Sequence, residues 1–379
     1  MREDDIFMKT EPTPKTRREV LQAAGMAAAA TLATPISAIA QDAKPIQVAL
    51  VGGAHIHTPQ YVGALKNRKS VSVKYVWDHD AERAVKRAKE LGQGKPVSDV
   101  KEIWADPEIK AVVICSETNL HHDLVLAAAH AKKHMFAEKP LGATAKESFA
   151  MAEAIEKANV LFTTGYFMRT SQQHLFLKDQ IEKGNFGKIT RARGSNCHNG
   201  SLGGWFDGEF RWMADPKISG VGAFGDLGTH SLDILMWLLG PIEKATADIK
   251  IVTARYAGCD ESGEALLKFQ SGVTGTLAAG WVDVANPVTL EISGTEGHAV
   301  IVNGQLYFRS SKVPNANGRE PWKDLPAAPP QPIEQFVNAL EGQPHDNLVK
   351  PREAAARVAV MEACYAGAHS QTWAKVAQS

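Results

Sequence analysis

A chain of 379 residues exceeds what one ordinary core fills, which calls for two domains. Its 42 basic and 42 acidic residues leave no net charge, so nothing favours nucleic acid or an anionic membrane surface as a partner. No stretch beyond residue 40 is apolar for long enough to span a bilayer, and the four cysteines (Cys115, Cys197, Cys259, Cys364) lack the Cys-x-x-Cys spacing of a zinc site.

The first forty residues read as a targeting segment. Thr16-Arg17-Arg18-Glu19-Val20-Leu21-Gln22 resembles a twin-arginine export motif, followed by an alanine-rich run from Ala23 to Ile36. Ser37-Ala38-Ile39-Ala40 before Gln41 supplies the small-x-small cleavage pattern. Residues 1–40 are therefore expected to be a signal peptide and the mature chain periplasmic.

From Ile46 the pattern alternates between strand and helix. Ile46–Val51 is a short apolar run, Gly52-Gly53 follows, and an amphipathic stretch reaches about Lys66. Val71–Trp77 is a second strand ending at Asp78, and Ala81–Leu91 is a charged helix closed by Gly92. Ala111–Cys115, His134–Phe136 and Val160–Thr164 are further apolar runs, each preceded by a helical stretch. This alternation predicts a parallel, doubly wound sheet over residues 46–164. In such a sheet the first strand-to-helix turn holds a pyrophosphate, and an acid after the second strand takes the ribose hydroxyls. Asp78, 26 residues after Gly52, stands at that position and favours NAD, with NADP still open. Of the glycine fingerprint only Gly52 is kept: Ala54 and His57 occupy the second and third glycine positions.

Residues 165–379 have another texture. A helix over Gln172–Lys183 leads to a strand over Ile189–Cys197, then to a glycine- and tryptophan-rich loop over 199–225. If the next stretch is helical, Asp226, His230 and Asp233 share one face at i, i+4 and i+7, and Gly240-Pro241 ends the helix. Runs over 245–254, 264–270, 274–282, 289–293 and 299–302 predict an open, mostly antiparallel sheet. A proline-rich crossing at 321–332 precedes helices over 333–341 and 351–374, which return to cover one of the domains.

Phe136-Ala137-Glu138-Lys139-Pro140-Leu141 and, 87 residues on, Asp226-Leu-Gly228-Thr-His230-Ser-Leu-Asp233 together resemble the Gfo/Idh/MocA oxidoreductase family, as does Ser116-Glu-Thr118-Asn-Leu-His121. The likeness runs from about residue 46 to 374. It implies an N-terminal Rossmann domain, a C-terminal α/β domain that often mediates oligomers, and Lys139, Asp226 and His230 meeting in the cleft between them. It further implies NAD(P) contacts from Gly52, Gly53, Ala54, His55, Ile56, Asp78, Ser116, Thr118, His121, Glu138 and Lys139. Substrate contacts fall to Lys139, Tyr166, Arg169, Asp226 and His230.

Those residue types suit oxidation of a secondary alcohol. Imidazole titrates near neutrality, so His230 can take the hydroxyl proton, and Lys139 can stabilise the oxygen as it gains alkoxide character. Asp226 orients the substrate or the imidazole. Trp205 and Trp212 are candidates for a sugar-stacking platform or for core packing, and no metal site is expected. The reading is a hydride-transferring enzyme acting on a sugar, cyclitol or sugar derivative, with a small-molecule partner and a homo-oligomeric state. A redox-neutral glycosidase or lyase, and a non-catalytic binding protein on the same fold, are the alternatives.

Overall fold

The computed structural model describes residues 44–345 and 347–378; the expected signal peptide lies outside them. β1 (Ile46–Val51) is apolar without alternation because it is central in a parallel sheet and covered on both faces, with Val48 to Val51 almost fully buried. The chain then alternates through α1 (Thr58–Lys66), β2 (Val71–Trp77), α2 (Ala81–Leu91), β3 (Lys95–Val97), α3 (Lys101–Ala105), β4 (Ile109–Ile114), α4 (His121–His130), β5 (His134–Ala137), α5 (Ala145–Ala158) and β6 (Phe162–Thr164). The strands are parallel in the order β3-β2-β1-β4-β5-β6, the doubly wound arrangement expected. The capping of α2 is local. Asp80 accepts the Glu82 and Arg83 N–H groups, and Gly92 closes the helix in the left-handed conformation.

The second half comprises α6 (Gln172–Glu182), β7 (Ile189–Cys197), α7 (Pro216–Ser219), α8 (Ala223–Leu239), β8 (Ile242–Lys250), β9 (Ser262–Phe269), β10 (Thr274–Gly280), β11 (Val288–Gly294), β12 (Gly297–Val302), β13 (Gln305–Ser310), β14 (Asn317–Pro321), α9 (Pro332–Leu340), α10 (Pro351–Ser370) and β15 (Ala374–Lys375). Its nine strands lie in the order β14-β13-β12-β11-β7-β10-β9-β8-β15, and only β7 and β10 pair in parallel. α8 packs on this sheet and is buried nearly all round, as its apolar sequence requires. Gly194 of β7 admits it closely: a Cβ there would stand 3.1 Å from Leu235.

Two boundaries and four strands differ from expectation. α8 begins at Ala223, because Asp260 from a distant loop receives the Phe224 N–H on its carboxylate and the Ala223 N–H on its carbonyl. β8 ends at Lys250 instead of running to 254, because the N–H groups of Val252, Thr253, Ala254 and Arg255 turn to wrap the Glu261 carboxylate. The strands β3, β13, β14 and β15 were not foreseen, being short or polar.

α9 and α10 return to the first half. Ile333, Phe336 and Val337 pack with Val48, Leu50 and Phe136, and Ala354, Ala355 and Val358 pack with Ile114, Met151 and Ile155. All four cysteines are free thiols, Cys115 fully buried.

Candidate active site

β5 ends where the two halves meet, so the next residues, Glu138 and Lys139, are delivered into the junction. The Lys139–Pro140 bond is cis. Below it the buried His121 ring faces the carbonyls of Pro140 and Leu141 with Nδ1 and that of Ser116 with Nε2, tying the two loops together. Opposite stands the first turn of α8. Lys139 Nζ lies 2.7 Å from Asp226 Oδ1, and Trp281 donates its indole N–H to Asp226 Oδ2 at 3.2 Å. Burial works against the charge on Asp226, yet the Lys139 ammonium holds its pKa down to about 2.

One turn further on, His230 is 3% exposed. Its Nδ1 is buried without a partner, and neither ring nitrogen is hydrogen-bonded among the described residues. Phe167 and Tyr166 enclose the ring at centroid distances of 4.8 and 6.1 Å. Burial first, then the Lys139 charge, lowers its pKa well below the ordinary imidazole value, so it is a neutral proton acceptor at neutral pH.

Glu138, fully buried, gathers a second group. Tyr61 donates its hydroxyl to Oε1, His57 Nδ1 lies 3.1 Å from Oε1, the Lys139 N–H donates to Oε2 at 2.8 Å, and His55 Nε2 stands 3.6 Å from Oε2. Gly165 makes room for the carboxylate, since a Cβ there would lie 2.9 Å from Oε1. The third position of the glycine fingerprint thus carries an imidazole, His57, which turns inward with the neighbouring His55 toward this acid.

The turn after β1 keeps its tight start. Gly52 has φ +80°, and a Cβ on it would lie 2.5 Å from the Ser116 backbone nitrogen. Beyond it, side chains of the protein itself crowd the turn. Asp78 Oδ2 accepts from the Gly53 N–H and Arg83 Nε, and Oδ1 from the Asp80 N–H and Arg83 Nη2, so the carboxylate's four acceptor directions are all used. Arg83 also reaches Glu117, and Arg87 donates twice to the Gly53 carbonyl. From the 199–222 loop Glu209 pairs with Arg87 and Lys86, and Trp212 donates its indole N–H to the Ala54 carbonyl. Ala54 and Ile56 pack on the core of the second half. In order and backbone these residues fit a dinucleotide: a left-handed glycine after β1, a helix beginning at Thr58, an acid closing β2. Ribose hydroxyls reach Asp78 only where Arg83 yields one edge of it.

The structure therefore brings Lys139, Asp226 and His230 together, with His55 and Glu138 beside them, and places Ser116 and Thr118 buried on the loop after β4. Two expected substrate contacts have their polar groups engaged within the chain. Tyr166 lies beside His230 with its hydroxyl hydrogen-bonded to Thr229 Oγ1 at 2.9 Å. Arg169 turns away: its guanidinium makes a two-bond pair with Asp233, which Arg357 also engages, and stacks near Trp237. Asp233 is thereby spent on ion pairs, although it shares the helix face with Asp226 and His230. Trp212 is a latch in the core, whereas Trp205 is 51% exposed and stacks on His198. Four contributors escaped sequence reasoning: Tyr61, Arg83, Glu209 and Trp281. Only Tyr61 had a signal, four residues after His57 on a helix.

Comparison with known proteins decides the family. Residues 46–166 match the model described as "Oxidoreductase family, NAD-binding Rossmann fold", and residues 174–300 match the GFO/IDH/MocA C-terminal domain. The chain belongs to the Gfo/Idh/MocA oxidoreductase family. Its relatives include a levoglucosan dehydrogenase of Pseudarthrobacter phenanthrenivorans, 29% identical over 60% of this chain and 64% of the relative. The scyllo-inositol 2-dehydrogenase (NAD(+)) of Bacillus subtilis is 30% identical over 62% of this chain and 67% of that protein. The match thus spans just under two thirds of the first of these relatives. Among solved structures, levoglucosan dehydrogenase in complex with NADH and levoglucosan superposes with a TM-score of 0.74 over 88% of this chain and all of that one, at 23% identity. That likeness is one of fold, and it agrees with the two sheets described above.

Proposed function

We propose that this protein is an NAD-dependent oxidoreductase acting on a hydroxyl carbon of a sugar or cyclitol. The observation that carries the reading is His230, a buried imidazole whose Nδ1 has no hydrogen-bond partner among the described residues, one helical turn from an aspartate that is ion-paired across the cleft to Lys139. Unpaired buried polar atoms are uncommon, and a cleft that keeps one beside a charged pair is built to receive a polar ligand. The relatives' names, levoglucosan and scyllo-inositol dehydrogenases, support polyhydroxylated rings as the substrate class.

When bound, nicotinamide supplies the site that accepts or returns hydride. His230 takes the proton of the substrate hydroxyl, its lowered pKa keeping it unprotonated and competent at neutral pH. Lys139 presents positive charge to the same oxygen, and Asp226 fixes that ammonium in place while Trp281 fixes Asp226. Tyr166 and Trp212, both buried, line the cleft with low-dielectric side chains, which strengthens each of these interactions. Gly52, Gly53 and Asp78 would hold the dinucleotide once Arg83 gives way, the 199–222 loop lifting to admit it and closing over it again. We further propose that residues 1–40 export the folded chain to the periplasm, where a cofactor loaded beforehand and enclosed by that loop stays with the enzyme. The twin-arginine pattern supports this.

The test is direct. Protein purified from its native host and denatured should release NAD, detected by mass spectrometry, and should reduce it on a panel of inositols and anhydrosugars. A chain that neither retains NAD nor takes it up in a titration overturns the proposal.

A further inference from the structure

We infer that His55, His57 and Glu138 form a binding site for one divalent transition-metal ion, zinc foremost, at the root of the cleft beside Lys139 and His230. The turn after β1 brings the two imidazoles together: the His57 N–H reaches His55 Nδ1 at 3.2 Å, and the rings stand edge to face at 4.6 Å. Glu138 follows directly on β5, which is separated from β1 only by β4. One ligand atom from each residue lies within 4.8 Å of the other two.

The separations are of the size an ion needs. Nitrogen and oxygen ligands at ~2.1 Å from a tetrahedral zinc stand roughly 3.4 Å apart. His57 Nδ1 is 3.1 Å from Oε1 of Glu138 and His55 Nε2 is 3.6 Å from Oε2, so the two imidazoles address opposite oxygens of one carboxylate, and a small rotation of that carboxylate brings one oxygen to both. Two imidazoles and one carboxylate form a donor set that selects first-row divalent ions and leaves coordination positions open. The outer partners of such a site are also present, since Tyr61 and the Lys139 N–H both bond the Glu138 carboxylate.

One further observation points to a ligand rather than to packing. The His57 ring is 6.3 Å from the His230 ring, whose Nδ1 is buried and unpartnered among the described residues. Binding moves the remaining proton of His55 from Nε2 to Nδ1 and gives up the long contact from the His57 N–H. The ion's open positions would take oxygens of the substrate, which deepens the proposed function, but metal binding itself does not depend on that reading.

The full-length protein, purified without chelators, should contain one equivalent of metal per chain by elemental mass spectrometry and lose it to dipicolinate. Co²⁺ added to the stripped protein should give visible absorption bands that saturate at one equivalent, and His57→Ala and Glu138→Gln should abolish them. His57→Cys, which retains a ligand, should instead add a thiolate-to-cobalt charge-transfer band, so the assignment survives even where the alanine variant misfolds. Metal well below one equivalent, together with the same Co²⁺ titration in wild type and His57→Cys, overturns the inference. NAD content, measured on the same samples by mass spectrometry, separates that failure from a failure of the proposed function.

Discussion

The indole N–H of Trp212 is bonded to the carbonyl of Ala54 at 3.1 Å, so the loop of one half is fastened to the phosphate turn of the other. Glu209 adds a second fastening on Arg87 at 2.6 Å. A neutral hydrogen bond contributes about 0.5–1.5 kcal/mol, somewhat more when one partner is charged. Trp212→Phe and Glu209→Gln should therefore each accelerate release of bound NAD by roughly 2- to 10-fold. Stopped-flow displacement of the bound dinucleotide measures this, and unchanged rates in both variants would remove the loop from the role of a latch.

Arg83 competes with ribose for Asp78. Arg83→Met frees two acceptor directions on that carboxylate without touching Gly53 or Asp80. NAD should bind roughly tenfold tighter to this variant, about 1.4 kcal/mol, in a calorimetric titration. Weaker binding would mean that Arg83 itself holds the cofactor.

His230→Asn removes the proton acceptor while keeping a polar side chain. Loss of a general base lowers turnover by roughly 10²–10⁴, and here kcat should fall with little change in KM. Because His230 makes no hydrogen bond among the described residues, the melting temperature should hold.

Lys139→Met behaves differently, because it strands the Asp226 charge. Breaking a buried pair from one side costs roughly 3–5 kcal/mol, and Asp226 keeps a little solvent contact, so the lower end is expected. Adding Asp226→Asn to Lys139→Met should recover most of that stability in chemical denaturation, while activity stays lost. Stability that does not recover would show that the pair is not what Lys139 contributes.

Stability should also fall on mild acidification. Burial lowers the pKa values of His121, His174 and His230 in the folded state. The unfolded chain therefore binds more protons below about pH 6.5, the ordinary imidazole value. The contribution of each is complete above that pH and declines as pH drops toward its folded value, by about 1.4 kcal/mol per pH unit per histidine. Asp226 acts lower down: its contribution is present above its unfolded value of 3.8 and disappears as pH falls through about 2. Calorimetric melting temperatures should hold level from pH 8 to about 6.5 and decrease from there to pH 5, and no decrease below pH 6.5 would contradict the burial of these rings.

What the sequence made legible is what short-range chemistry dictates. The parallel sheet followed from unbroken apolar runs, and Asp226 and His230 share a helix face because 3.6 residues make a turn. β13 was missed although Asn303-Gly304, both at positive φ, is a hairpin turn with a known signature. The rest was hidden by distance along the chain. Nothing around residue 281 marks Trp281 as the donor to Asp226, 55 residues earlier. Arg169 misled for the same reason: its partner, Asp233, is 64 residues away.

The last two helices supply part of the first half's interior. Phe336, Val337, Ala355 and Val358 belong to cores whose other members were translated some two hundred residues earlier. A ribosome-bound chain that has completed β6 therefore holds an unfinished sheet with apolar surface open to water, and it cannot close that surface until the final helix leaves the exit tunnel. Assembly of the first half is thereby postponed until α10 has been made, and any truncation that removes α10 should leave the first half, and not merely the second, unable to stand alone.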